Sequence, residues 1–114
     1  MQTLQQQQQQ QVIKVEEEER RDRLLEIVSD KYCRAILESI MNMPKSVIEI
    51  TAETKIPMST TYRRIQSLHD NKLVATSGMI TNEGKRLFLY KSKIKGIRSR
   101  FNDGKTEVEL IINN

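Results

Sequence analysis

Apolar residues recur at helical intervals in the first part of the chain and alternate with polar residues near its end. From about residue 24 the apolar positions are spaced by three or four, which predicts a core-facing helical stripe. Ser29 or Asp30 can cap a second segment, so the pattern allows one helix or two, ending at Met43–Pro44. The members of this stripe are Leu24, Leu25, Val28, Tyr32, Ala35, Ile36, Leu37 and Ile40.

A second helical pair is marked by local signals. Ser46 and Glu49 have the spacing of a capping box and predict a short helix through about Thr54. Pro57 disfavours a helical residue before it, so the next helix begins at position 58 or 59. Short helix, tight turn and second helix are typical of a helix-turn-helix. In the first helix of the pair, the residues expected to face the core are Val47, Ile50 and Ala52.

The second helix of this pair has two distinct faces at 100° per residue. Arginine and glutamine make bidentate contacts with base edges, and serine and threonine bond bases or phosphates, so its polar face suits DNA. An ordinary solvated polar face is the alternative. The core side carries Met58, Thr61, Ile65 and Leu68; the outer side carries Ser59, Thr60, Arg63, Gln66 and Ser67, with Arg64 at its flank.

A basic-tipped hairpin follows that helix. An extended segment is predicted after Leu73-Val74 as far as Ile80, and a second from Arg86 to Tyr90. Gly84 supplies the positive φ that the loop between them needs. The cations of Lys85 and Arg86 can lie against phosphates. A recognition helix followed by such a hairpin predicts a winged helix-turn-helix.

The last segment predicts a second hairpin, turning at Asp103-Gly104. A two-residue loop places Arg100 opposite Glu107 and Arg98 opposite Glu109, which matches charges on one face. An isolated hairpin is marginal in water, so its apolar face packs either on the domain or on a partner subunit. That face comprises Ile97, Phe101, Val108, Leu110 and Ile112.

Residues 1–23 have low complexity, with a glutamine run at Gln5–Gln11 followed by glutamates and arginines. They contain too few apolar groups to bury a face, so we expect a disordered tail or a marginal solvated helix. A short coiled-coil or partner-binding helix is the alternative.

The distribution of charge along the chain is more informative than its overall composition. The 114 residues carry a net charge of only +4, but residues 55–101 hold 11 basic and 2 acidic side chains, a net of +9. Such a basic block is the footprint of a nucleic-acid partner. The chain has neither a membrane-length apolar window nor a signal segment, so we expect a cytoplasmic, nucleoid-associated protein. One cysteine and one histidine predict no metal site and no cofactor, and we expect no enzyme activity.

Three segments also resemble small, archaeal-like ArsR-type winged helix-turn-helix transcription regulators: DKYCRAILESI, PKSVIEITAETKIPMSTTYRRIQSLHDNKLV and GKRLFLYKS. The resemblance covers Leu24–Lys93 and implies a homodimer whose recognition helix enters the major groove while the hairpin touches backbone or minor groove. Lys55 stands where that family usually has glycine, and Thr61 where it has valine. The cysteine and histidine clusters of its metal sensors are missing, so the resemblance does not imply metal sensing.

We therefore predict a mainly α fold with small β (α+β), a winged helix-turn-helix with a C-terminal β-hairpin extension. The expected division is a tail over 1–23, the DNA-binding domain over 24–93, and the hairpin over 94–114, which is either a dimer contact or a packing element. The expected function is sequence-specific binding of double-stranded DNA in transcription regulation, with the recognition helix at about 59–71 and the wing at about 74–90. A winged-helix protein-interaction module in a transcription or chromatin assembly is the alternative. The predicted DNA-binding residues are Ser59, Thr60, Tyr62, Arg63, Arg64, Gln66, Ser67, Lys85 and Arg86.

Two smaller questions stay open at this stage. Cys33 is expected to be a small buried residue, with a thiol redox switch as the alternative. Lys91, Lys93 and Lys95 either extend a phosphate-binding track or keep a linker solvated.

Overall fold

The computed structural model describes residues 10–114. It contains four helices followed by two hairpins, with a short strand before the first helix. The elements are β1 (Val12–Lys14), α1 (Glu18–Ser29), α2 (Lys31–Ser39), α3 (Val47–Thr54), α4 (Met58–Asp70), β2 (Val74–Ile80), β3 (Arg86–Ser92), β4 (Ile94–Asn102) and β5 (Lys105–Ile112). This is the predicted α+β winged helix-turn-helix with a C-terminal β-hairpin.

The first apolar stripe forms two helices rather than one. Asp30 separates α1 from α2, and its carboxylate caps α2 by accepting the Cys33 N–H at 3.3 Å. Helix α2 ends at Ser39, short of the expected Met43–Pro44. The backbone leaves the helix there because the carbonyl of Ile40 accepts from Ser92 N–H at 3.0 Å, which ties it to β3.

The helix-turn-helix forms as its local signals predict. The Glu49 N–H donates to Ser46 Oγ at 3.2 Å, and the Ser46 N–H donates to Glu49 Oε1 at 2.9 Å, which completes the capping box. Val47 and Ile50 are buried, but Ala52 is exposed because it lies 200° round the helix from Ile50.

The core side of α4 is buried at three of its four predicted positions. Thr61, Ile65 and Leu68 lie in the core. Met58 does not, with 44% of its surface exposed. Side chains in a helix tilt toward its N-terminus, so the side chain of the first residue extends past the body of the helix.

The wing is the antiparallel pair β2–β3. Val74 lies opposite Ser92 at its base and Ile80 opposite Arg86 at its tip. Lys45 adds a single bridge beside β3, because its N–H and carbonyl both bond Tyr90, at 3.0 and 2.9 Å. The wing is thereby attached to the segment that leads into α3.

The C-terminal hairpin has the predicted register. Arg98 lies opposite Glu109 and Arg100 opposite Glu107. Each arginine Nε donates to its glutamate at 3.1 Å. Asp103 and Gly104 form the two-residue turn, with φ of 53° and 75°, as a primed hairpin turn requires.

The apolar face of this hairpin packs mainly within the chain. Val108 and Leu110 are buried, and Ile97 is half-buried against the same core. Phe101 differs, because 75% of its surface is exposed near the end of the hairpin. Intrachain packing therefore accounts for most of this face but leaves its largest side chain uncovered.

The segment before α1 differs from the expected tail in its described part. Val12–Lys14 pairs with β5 and makes the sheet order β1-β5-β4. Val15 is buried, and its N–H donates to the Val108 carbonyl at 2.9 Å. The open edge of β5 supplies hydrogen-bond partners for the backbone of this segment, which has too few apolar groups to fold alone. The rest of the expected tail, residues 1–9 with most of the glutamine run, lies outside the described residues.

One core joins the helices to the C-terminal sheet. Leu24 and Ile27 are the buried positions of α1, rather than Leu25 and Val28, which are half-buried.

Helix α1 also runs across position 24, where we expected the domain to begin. None of the four helices in the described part is both long and apolar enough to cross a bilayer.

Candidate nucleic-acid interface

Helix α4 is positioned by the turn that joins it to α3. Lys55 has a left-handed backbone, with φ of 64°, and its N–H donates to the Thr51 carbonyl at 2.9 Å. The buried hydroxyl of Thr61 donates to the Pro57 carbonyl at 3.1 Å. Both departures from the resembled family are therefore accommodated locally, one by backbone conformation and the other by an internal hydrogen bond.

The outer face of α4 presents most of the predicted DNA-binding residues together. Ser59, Tyr62, Arg63 and Gln66 are exposed, while Thr60 and Ser67 are half-buried. Within residues 10–114 no hydrogen bond or ion pair engages the Arg63 guanidinium. Gln66 differs, because its amide nitrogen donates to Asp70 Oδ1 at 2.9 Å.

Arg64 is held against the junction of α1 and α2. Its Nε donates to Asp30 Oδ2 at 2.6 Å, and its guanidinium lies 5.5 Å from the centre of the Tyr32 ring. Partial burial is the largest single effect and opposes ionisation of Asp30, but the hydrogen bonds from Arg64 and Cys33 and the charge of Arg64 together outweigh it and lower the pKa of that carboxyl. Since only Nε is engaged among the described residues, both Nη groups keep their donors for another acceptor.

The wing carries the last two predicted residues. The loop is closed by Thr81 N–H donating to the Lys85 carbonyl at 2.8 Å, and Gly84 has the predicted positive φ of 82°. Lys85 and Arg86 are both exposed. Seven-residue strands rise about 3.3 Å per residue, so these cations lie roughly 20 Å along the wing from its base. The predicted residues thus form two patches, on α4 and on the wing tip.

Ion pairs reduce the positive charge of the central block. Arg98 and Arg100 pair with Glu109 and Glu107, as predicted, which leaves +7 of the +9. The pairing of Arg64 with Asp30 lowers this surplus to +6.

Sequence reasoning missed the polar contacts that anchor α4 at its middle and at its C-terminal end. At its C-terminal end, Arg20 Nη2 donates to the Asn71 carbonyl at 3.2 Å, and Arg23 Nε donates to Asn71 Oδ1 at 3.1 Å. At the middle of the helix, Asp30 holds Arg64. These partners lie 34 or more positions apart, so no helical or strand spacing signals them.

Within the described residues, Cys33 is the candidate redox thiol and the acidic groups are the candidate metal ligands. Burial, followed by a hydrogen bond with Asp30, raises the pKa of the Cys33 thiol to about 12. The thiolate needed for redox chemistry is therefore disfavoured, which argues against the redox switch. No group of three or more potential metal ligands comes together in the part of the chain that the structure describes.

The chain is similar in structure to two solved proteins. NolR from Sinorhizobium fredii aligns with a TM-score of 0.56 and 17% identity, over 68% of this chain and 72% of that protein. A possible transcriptional regulator from Methanosarcina mazei Go1 aligns with a TM-score of 0.53 and 13% identity, over 73% and 76%. No protein-family model matches the chain, and neither does any curated protein sequence. At these identities the likeness shows the fold alone.

Proposed function

We propose that this protein is a sequence-specific, double-stranded-DNA-binding transcription regulator. Helix α4 lies in the major groove, with Thr60, Arg63 and Gln66 at base edges. The wing lies on the backbone or in the minor groove. The contacts proposed for phosphates are made by Ser59, Tyr62, Arg64, Lys85 and Arg86, and Ser67 contacts either a base or a phosphate.

The observation that carries this proposal is the division of α4 into two faces. Ile65 and Leu68 hold the helix on the core, and the opposite side exposes Arg63 with no partner among the described residues. An exposed arginine on a rigid helix, without a carboxylate to neutralise it, suits bidentate contact with guanine. The exposed cations of the wing tip supply a separate, sequence-independent contact.

The structure also suggests how Arg64 fits this interface. Asp30 fixes the Nε edge of its guanidinium, so the side chain loses less freedom when an Nη group meets a phosphate oxygen. Asp30 is thus a positioning residue in the proposal, and Arg64 a phosphate contact rather than a reader of bases.

The proposal is tested by comparing two alanine variants on specific and random duplexes over a range of salt concentrations. The specific sequence is first selected from a random pool with the full chain. Arg63→Ala should weaken specific binding by about 1–3 kcal/mol and relax base preference at one position. Lys85→Ala should weaken binding to all sequences and lower the slope of log K against log salt by about 0.9. Lys105→Ala, which removes an exposed cation at the other hairpin tip, is the matched control and should change neither.

Two results would contradict this reading. If Arg63→Ala left specific and random duplex bound as before, α4 would not be the recognition helix. If the protein bound duplex only weakly and without salt dependence, the winged helix would serve protein contact instead.

The proposal includes a homodimer, as a two-fold arrangement of two recognition helices would require. Phe101 supports the C-terminal hairpin as the contact, because an aromatic side chain with 75% exposure gains from burial by a partner. Truncating the hairpin cannot test this cleanly, since Val108 and Leu110 belong to the core.

A further inference from the structure

A groove lies where the end of α4, the base of the wing and the C-terminal sheet meet. Its volume is about 460 Å³, within the range of small-molecule sites. Its apolar walls come from β1, β4 and β5. Ile94 and Leu110 form the buried part of these walls, while Ile13 and Ile112 keep surface open to solvent.

Four cations surround this apolar wall: Arg20, Lys72, Lys91 and Lys93. No acidic residue lines the groove. None of the ion pairs found within residues 10–114 involves these four groups. Like charges repel when they are brought together, so this arrangement favours an anion that lies between them.

The groove is built on fixed backbone. The Lys93 N–H donates to the Leu73 carbonyl at 2.8 Å, and the Asn113 N–H donates to the Lys93 carbonyl at 2.9 Å. The Asn113 amide nitrogen also donates to the Ser92 carbonyl at 3.0 Å. Arg20 is held in place by its bond to the Asn71 carbonyl. The backbone that carries the groove therefore needs little rearrangement when a ligand enters.

We propose that this groove binds an organic anion with an apolar body and a carboxylate or phosphate head. The four cations hold the head, and the isoleucine and leucine side chains cover the body. A nucleic-acid backbone fits less well, because it would leave the apolar wall uncovered. Lys72 follows Asn71, the C-cap of α4, and Lys91 pairs across the wing base with Ala75. A bound anion would therefore contact both elements of the proposed DNA interface.

Octanoate is a suitable probe, with acetate and 1-octanol as matched controls for its charge and its apolar body. Binding is followed by amide chemical shifts of the full chain without DNA, so the result does not depend on the proposed function. Octanoate should bind at least tenfold more tightly than either control and shift the amides of Lys72, Ala75 and Ile112. A tenfold difference is about 1.4 kcal/mol, which burial of about two methylene groups supplies.

A second test removes positive charge inside the groove and, as a control, outside it. The double variant Lys72→Gln with Lys93→Gln should weaken octanoate binding at least tenfold. Lys31→Gln with Lys105→Gln removes the same charge elsewhere on the surface and should leave the affinity unchanged. Equal losses in both pairs, or octanoate binding no tighter than its controls, would overturn the proposal. So would a random duplex that shifts these amides when octanoate does not, because the cations would then belong to a DNA backbone site.

Discussion

Replacing Lys55 by glycine isolates the energetic effect of the left-handed backbone in the turn before α4. Lys55 is exposed, and its side chain makes no hydrogen bond or ion pair within residues 10–114. Its φ of 64° places Cβ close to the following carbonyl oxygen. The substitution therefore changes backbone preference and one surface charge, and little else.

The magnitude follows from two opposing effects. An L-residue in this conformation costs roughly 1–2 kcal/mol, and glycine loses about 0.5–1 kcal/mol more conformational freedom on folding. We expect Lys55→Gly to raise the free energy of unfolding by about 0.5–1 kcal/mol. For a chain of 114 residues, this corresponds to a rise in melting temperature of roughly 2–5 °C.

Urea and thermal unfolding of Lys55→Gly and Lys55→Ala measure this effect. The alanine variant removes the same charge but keeps Cβ, so its stability should stay close to that of the parent chain. A glycine variant no more stable than the alanine variant would refute the reasoning, because the backbone at Lys55 would then not be strained. Both variants should bind DNA equally, since they lose the same cation and keep the same turn.

Three further predictions concern Asp30, Cys33 and Phe101. The lowered pKa of Asp30 contributes stability that is present above about pH 4 and is lost as the pH falls through that pKa. Asp30→Asn keeps a capping side chain but cannot ionise, so its free energy of unfolding should fall less steeply than that of the parent chain as the pH is lowered below about 4. The raised pKa of Cys33 contributes stability that is present below about pH 9 and is lost toward pH 12. In Cys33→Ala this loss of stability at alkaline pH should disappear. Rapid reaction of the native thiol with a disulfide reagent at pH 7 would contradict its burial. Phe101→Ser should shift the chain toward monomer in sedimentation at micromolar concentration while the monomer stays folded, whereas an unchanged dimer would remove Phe101 from the interface.

Local signals predicted most of the elements because neighbouring residues carry them. The capping box at Ser46 sets where α3 begins, and Asp103-Gly104 sets a two-residue turn. The charge pairing of Arg98 and Arg100 with two glutamates then selects one register. The exposed face of α4 followed from helical geometry in the same way.

Contacts between distant segments could not be predicted in this way. The strand at Val12–Lys14 forms because β5 offers an edge, and its own three residues, although two are β-branched, are too few to predict a strand. Arg64 was placed at the flank of α4, but its partner Asp30 belongs to a different helix junction. Each of these outcomes requires the relative placement of whole elements.

The pairing of β1 with β5 brings the two ends of the described chain side by side. Val12 lies opposite Ile111, and the Ile112 N–H donates to the Gln11 carbonyl at 2.9 Å. Pairing these ends closes a loop of nearly the whole described chain, and only three residue pairs offset the entropy that this closure costs. We therefore expect this strand to form late in folding. Joined ends of this kind also permit circular permutation. A permuted chain opened at Asn82 in the wing loop would retain the core and the face of α4 while separating the two wing strands, so that the helix and the wing could be studied apart.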